Sequence, residues 1–294
     1  MKKECCVRLE CGSEYCSGKN RIGFLAPEGT FTHEAAGLRR CSSSEEVGFS
    51  GFNELIDGVK SEVIDEAIVP IENLLIGGVA VCLDSIIRAN GDLKIKAEFV
   101  LPICQQLISL EEMAFSEITK VVSIYEAIGQ CRDWLNKNLP AIPIEHVSST
   151  ALAVKDLPRF GKGAVAIGSE FAAKLYDRRI LQRDIHDNKE NATYFLVLSK
   201  EDEEKETGDD KTSLIFSVDN RAGALVRVLN VLDALDINMI KIESRPSKVV
   251  LSEYVFWIDI EGHRKTGKIK EALKVIEGKT KFFKILGSYP KARR

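Results

Sequence analysis

The chain has 294 residues, 45% of them apolar, enough to bury more than one core, and its length sets an expectation of about two domains. Lys and Arg total 41 against 44 Asp and Glu, a formal charge of -3, which gives no general reason to expect nucleic acid or an anionic membrane as partner. No stretch reaches the ~18 consecutive apolar residues of a membrane span, and the opening MKKECCVRLECGSEYCSGKN lacks the apolar run of a secretory signal, so a cytoplasmic protein is expected.

Residues 1–20 hold Cys5, Cys6, Cys11 and Cys16. Their spacing lacks the paired C-x-x-C pattern of structural zinc sites, so the segment reads as a loosely ordered, Cys-rich tail with no metal. Cys41, Cys82, Cys104 and Cys131 sit in apolar or helical contexts, where a thiol behaves as a small hydrophobe.

From residue 21 the chain alternates short β-like runs with helical ones. RIGFLA is a buried strand that ends at the turn Pro27-Glu28-Gly29, and FTHEAAGLRR is the helix behind it. EVIDEAIVPIEN gives a further strand, GDLKIKAEFVLPICQQLISL alternates as strand, and EITKVVSIYEAIGQCRDWLNKNL reads as strand, loop and one amphipathic helix. GAVAIGSEFAAKLY repeats strand, turn and helix. The alternation predicts an α/β sheet covered on both faces, with ligands beyond the carboxyl ends of its strands.

SKEDEEKETGDDKT, residues 199–212, contains no packing residue and is expected to be a solvated acidic linker. Residues 213–294 then run strand, helix, strand, strand, helix, strand, the β-α-β-β-α-β order of a ferredoxin-like α+β unit.

Two motifs carry a resemblance in this last segment. Gly223-Ala224-Leu225-Val226 opens the first helix, and Glu243-Ser244-Arg245-Pro246 ends the second strand. The segment resembles the ACT modules appended to prephenate dehydratases and aromatic amino acid hydroxylases, and the resemblance assigns both motifs to phenylalanine binding. A zwitterion with an apolar ring needs carboxylate donors, ammonium acceptors and an apolar slot, and helix-start N–H groups suit the carboxylate. ACT modules pair side by side, so the resemblance further implies a homodimer or homotetramer inhibited by its end product.

Residues 21–198 resemble the catalytic domain of prephenate dehydratases. Gly29-Thr30-Phe31-Thr32 follows the family's GTFT loop, Val69-Pro70-Ile71-Glu72-Asn73 its VPIEN segment, and Ser149-Thr150-Ala151 its STA helix start. Asp187, Asn191, Thr193 and Phe195 fall on its spaced D…NxTRF segment. The resemblance implies two α/β subdomains built like periplasmic binding proteins, no cofactor, and conversion of prephenate to phenylpyruvate, carbon dioxide and water. It makes Thr193 catalytic and Gly29, Thr30, Phe31, Asn73, Ser149, Tyr194 and Phe195 substrate-binding.

The chain departs from the family pattern at several loops. TRF reads Thr193-Tyr194-Phe195, NSxEG reads Asn73-Leu74-Leu75-Ile76-Gly77, a histidine is replaced by Gln105, and SHPQ reads Ser123-Ile124-Tyr125-Glu126. Each change removes a polar or charged group. A dehydratase with Arg178, Arg179 or Lys189 supplying the missing cation is one reading. A prephenate decarboxylase that does not aromatise, with the Tyr194 phenol near the ring, is a second. A phenylalanine-binding regulator without turnover is a third.

Overall fold

The computed structural model describes residues 20–89, 92–202, 205–247 and 253–292. The cysteines at 5, 6, 11 and 16 lie outside the described residues.

The catalytic-type segment begins β1 Arg21–Leu25, α1 Phe31–Arg39, β2 Glu45–Phe49, α2 Phe52–Lys60, β3 Glu66–Asn73, β4 Gly77–Gly78, α3 Ala80–Arg88 and β5 Lys94–Pro102. It continues β6 Gln106–Ser109, β7 Lys120–Ser123, α4 Tyr125–Gln130, α5 Arg132–Asn138, β8 Ile144–His146, α6 Thr150–Lys155, β9 Ala164–Gly168, α7 Glu170–Leu175, β10 Arg179–Gln182 and β11 Ala192–Ser199. The C-terminal part adds β12 Asp210–Ser217, α8 Ala224–Ala234, β13 Met239–Pro246, β14 Tyr254–Glu261, α9 Gly267–Glu277 and β15 Phe282–Pro290.

A first sheet runs β2-β1-β3-β11-β5 with β4 beside β3, a second runs β10-β6-β9-β7-β8, and the third runs β13-β14-β12-β15. Strand periodicity explains the layers of the second sheet. Leu107, Val121, Val165 and Ile167 face α4 and α5, whereas Ile108, Val122, Ala164 and Ala166 face α6 and α7. Both faces are apolar and both are covered, as the alternation predicts. The third sheet is antiparallel throughout. Leu214, Phe216, Ile258 and Ile260 meet α8 and α9 on one face.

By contacts the chain forms two compact units. One comprises the described residues to Leu55, Glu72–Gly77 and Leu101–Thr193; the other comprises Ile56–Ile71, Gly78–Val100 and Tyr194 onwards. The second unit therefore joins the ferredoxin-like sheet to α3 and most of β5. Gly287 shows why: a β-carbon there would stand 2.2 Å from the Ile95 carbonyl oxygen, so only glycine lets β15 approach β5 this closely.

Two expectations change. The single helix expected over the AIGQCRDWLNKN stretch is two, because Cys131 leaves helical geometry at φ -116°, ψ 13°. Asp187 supplies the new start, its carboxylate accepting the N–H groups of Asp133 and Trp134 at 3.0 and 3.1 Å. The acidic linker is shorter than 199–212. β12 begins at Asp210, and Asp210, Lys211 and Thr212 are buried. The Asp210 carboxylate closes the turn by accepting from Thr207 N, Gly208 N and the Thr207 hydroxyl.

Candidate functional site

In the first unit, the end of β3 and the start of β11 bring Asn73, Asn191 and Thr193 together across 120 positions of sequence. Asn73 Oδ1 accepts the backbone N–H groups of Leu75 and Ile76 at 3.0 and 3.1 Å, which fixes which end of the amide is oxygen. Asn73 Nδ2 must therefore donate, and it reaches Thr193 Oγ1 at 3.0 Å, Asn191 Oδ1 at 3.0 Å and the Ala192 carbonyl at 3.2 Å. Thr193 is only 7% exposed and its oxygen is an acceptor towards Asn73, so its own proton is left for another acceptor. The same logic turns Asn191 Nδ2 away from Asn73, and that buried donor has no partner among the described residues. Asn191 was legible in sequence only as part of the D…NxT spacing.

Gly29, Thr30 and Phe31 form the turn into α1. Gly29 adopts φ +85°, and a β-carbon on it would stand 3.0 Å from Tyr176 Cε2 and 3.5 Å from Ala151 Cβ, so the turn lies against the start of α6 and the residue that ends α7. Its N–H donates to His33 Nδ1 at 3.0 Å, and the His33 ring stacks on Phe24 with centroids 4.2 Å apart. Thr30 is spent structurally: its hydroxyl donates to the Leu25 carbonyl and accepts from His33 N as the cap of α1. Ser149 likewise caps α6 by accepting from Leu152 N at 3.0 Å. The Thr30 hydroxyl is thus committed as both donor and acceptor, whereas Ser149 still has its own proton to donate. Phe31 is half-buried at the first position of α1.

Tyr194 and Phe195 follow Thr193 along β11. Successive side chains of β11 leave opposite faces, so half-buried Tyr194 lies on the face away from Thr193 and its phenol does not stand beside that hydroxyl. Phe195 is 1% exposed and stacks on Phe99 with ring centroids 5.7 Å apart, a core position. Asp187, as shown, caps α5. The three candidate cations are also committed locally. Arg178 donates to the Val154 and Lys155 carbonyls, Arg179 to Glu112, and Lys189 to the Asp184 and His186 carbonyls.

Gln105 replaces the family histidine within a second polar group. Its N–H donates to His186 Nδ1 at 3.3 Å and its Nε2 to Gln130 Oε1 at 3.1 Å, while its own Oε1 is buried without a partner among the described residues. Burial, then the Lys189 charge, holds the His186 pKa below its ordinary value, so the ring is a neutral acceptor. Neither Gln130 nor His186 carried a sequence signal.

Glu34 on α1 was also missed. Burial first, then the Glu170 carboxylate, pushes its pKa from 4.5 to about 7, and Oε2 is buried without a partner among the described residues. The folded value lies above the unfolded one, so the fold carries no penalty from this group below about pH 4.5 and is destabilised as pH rises through 7. Glu34→Gln is expected to raise stability by about 2–3 kcal/mol at pH 8.5 and hardly at all at pH 4.5. Denaturant unfolding at the two values checks this; an equal gain at both would discard the buried-charge account.

In the C-terminal sheet, a cavity of about 190 Å³ is lined by Val218, Asp219, Asn220, Arg221, Ala224, Leu225, Glu253, Tyr254 and Phe256. Acidic groups for an ammonium and apolar groups for a ring are both present. Of the first expected effector motif, Ala224 and Leu225 line it, Gly223 starts α8 in the left-handed region at φ 74°, and Val226 is 55% exposed. The second motif splits. Ser244 and Pro246 pair with Phe256 and Tyr254, on the cavity's face of the sheet, whereas Glu243 and Arg245 pair with Trp257 and Val255 on the other face. There Arg245 binds Asp84 of α3.

Comparison with known proteins identifies the family. Residues 22–203 match the family described as Prephenate dehydratase, and residues 212–278 match the ACT domain. A bifunctional chorismate mutase/prephenate dehydratase of Aquifex aeolicus is 41% identical over 274 residues, covering 93% of this chain and 74% of that protein. The prephenate dehydratase of Bacillus subtilis is 35% identical, covering 92% of this chain and 98% of that one. The crystal structure of an Arthrobacter aurescens prephenate dehydratase in complex with L-Phe superposes with a TM-score of 0.85 at 30% identity, covering 92% and 90% of the two chains. With the Asn73–Thr193 pair in place and both segments matched, the chain belongs to the prephenate dehydratase family and carries a C-terminal ACT domain.

Proposed function

We infer that the protein is a prephenate dehydratase of phenylalanine biosynthesis, converting prephenate to phenylpyruvate, carbon dioxide and water, and regulated by phenylalanine through its ACT domain. The observation that carries the reading is the hydrogen bond from Asn73 Nδ2 to Thr193 Oγ1. The ring carboxylate leaves as carbon dioxide, its C–C bond electrons enter the ring, and the ring expels its hydroxyl. That hydroxyl is a poor leaving group until it gains a proton. Thr193 donates one, and Asn73 stabilises the threonine oxygen as it does so. The dianionic substrate consumes one proton overall, so solvent must reprotonate Thr193. Replacement of the TRF arginine by Tyr194 falls on the strand face away from Thr193 and leaves this step intact.

Purified protein is to be incubated with prephenate, and phenylpyruvate followed by absorbance in alkali, with Thr193→Ala as control. Phenylpyruvate that vanishes in the control supports the assignment. Prephenate consumed without phenylpyruvate replaces it with decarboxylation alone, and untouched prephenate with phenylalanine still bound leaves a regulator.

Two further features belong to this reading. The assembly is a homodimer or homotetramer joined through ACT sheets, since β13 is an edge strand with Ile240 and Ile242 45% and 42% exposed. Light scattering of the eluted protein measures the number of copies, and a monomer would refute the pairing. The setting is the cytoplasm, in keeping with the buried free thiols of Cys82 and Cys131.

A further inference from the structure

We propose that the ion pair between Arg245 and Asp84 is the coupling element through which a ligand on the ACT sheet acts on the loop that carries Asn73. The proposal rests on phenylalanine being the effector. Arg245 presents Nε and Nη2 to the two carboxylate oxygens of Asp84 at 2.8 and 3.1 Å, a two-pronged contact that fixes orientation as well as distance. The side chains are 21% and 11% exposed, so solvent and salt screen them little. Glu243 lies two residues back on the same strand face and comes near the same segment. Its Oε1 lies 3.9 Å from Arg245 Nη1, and its Oε2 lies 3.7 Å from the point where a β-carbon of Gly78 would stand.

β13 therefore meets α3 through Arg245 and comes near Gly78 through Glu243 on one face, while Ser244 and Pro246 lie on the other face, the one that carries the cavity-lining Phe256 and Tyr254. Because these residues alternate on a single strand, a ligand that moves Ser244 or Pro246 must also move Glu243 and Arg245. The gripped segment continues backwards along the chain through Gly77 into Leu75 and Ile76, whose amides are tied to Asn73 Oδ1. Asn73 in turn holds the catalytic hydroxyl. Arg245 is thus a positioning residue bound to a protein carboxylate, and the phenylalanine carboxylate is left to other donors. The shift transmitted can be no larger than the ligand's preference between the two positions of the strand.

Asp84→Asn keeps the side-chain shape and removes the charge, and Asp84→Glu keeps the charge. In Asp84→Asn, phenylalanine should bind with a Kd within about threefold of the parent, while the concentration giving half-inhibition rises about tenfold or more. Asp84→Glu should recover part of the response. Independently of turnover, amide hydrogen exchange over Leu74–Gly78 should change when phenylalanine is added to the parent protein and stay unchanged in Asp84→Asn. Half-inhibition that stays at the parent value in Asp84→Asn overturns the proposal. So does a Kd that weakens in step with inhibition, which would put Arg245 in the binding site, or a parent that does not bind phenylalanine. A parent that binds phenylalanine but leaves prephenate untouched refutes the dehydratase reading instead, and the exchange measurement alone then decides the coupling.

Discussion

Thr193→Val will lower kcat for prephenate about 10²–10⁴-fold, the usual range for loss of a positioned proton donor. Valine fills the same volume, and Asn73 Nδ2 keeps the Asn191 and Ala192 oxygens as acceptors, so far-ultraviolet circular dichroism and the unfolding midpoint should hardly move. KM should change little, because the hydroxyl serves the departing group more than the bound ground state. Thr193→Ser, which keeps the hydroxyl, should retain most of the rate. Turnover that survives in the valine variant would remove Thr193 from the proton step. A serine variant as slow as valine would show that the methyl group, and hence packing at this 7%-exposed position, is what matters.

How far the sequence revealed this molecule depends on the range of the interaction. β1, β3, β9 and the whole β-α-β-β-α-β unit were legible because burial on one or both faces imposes a local period. The capping roles of Thr30 and Ser149 were legible in kind, since hydroxyls before a helix accept N–H groups, but the family resemblance drew them towards substrate instead. The opposite facing of Thr193 and Tyr194 follows from strand period alone. What stayed hidden is long-range pairing. Asp187 starts a helix 54 positions earlier, and Arg245 meets Asp84 across 161 positions. A carboxylate in sequence does not say which cation or amide it will meet, so the split of the Glu243–Pro246 motif between two sheet faces needed the fold.

Lys211→Met is expected to cost about 3–5 kcal/mol, because it leaves two buried carboxylates without their cation. Lys211 Nζ lies 2.5 Å from Glu98 Oε2 and 3.4 Å from Asp259 Oδ2, and the three side chains are 10%, 4% and 6% exposed. Burial works to lower the lysine pKa, but Asp259 and Glu98 outweigh it and hold the value above the ordinary one. Asp259 keeps two donors without the lysine, the Ser213 hydroxyl at 2.6 Å and Trp257 Nε1 at 2.8 Å. Among the described residues Glu98 keeps one donor, the Ala292 N–H at 2.9 Å, so it is the less well compensated charge. Adding Glu98→Gln to Lys211→Met should therefore recover about half of the loss or more, whereas Asp259→Asn should recover less. Calorimetric unfolding of the single and double variants measures both. A Lys211→Met protein as stable as its parent would mean that water reaches the pair. Glu98 belongs to β5 and Lys211 and Asp259 to the ACT sheet, so the same experiment measures how firmly that sheet is held against the strand beside Gly287.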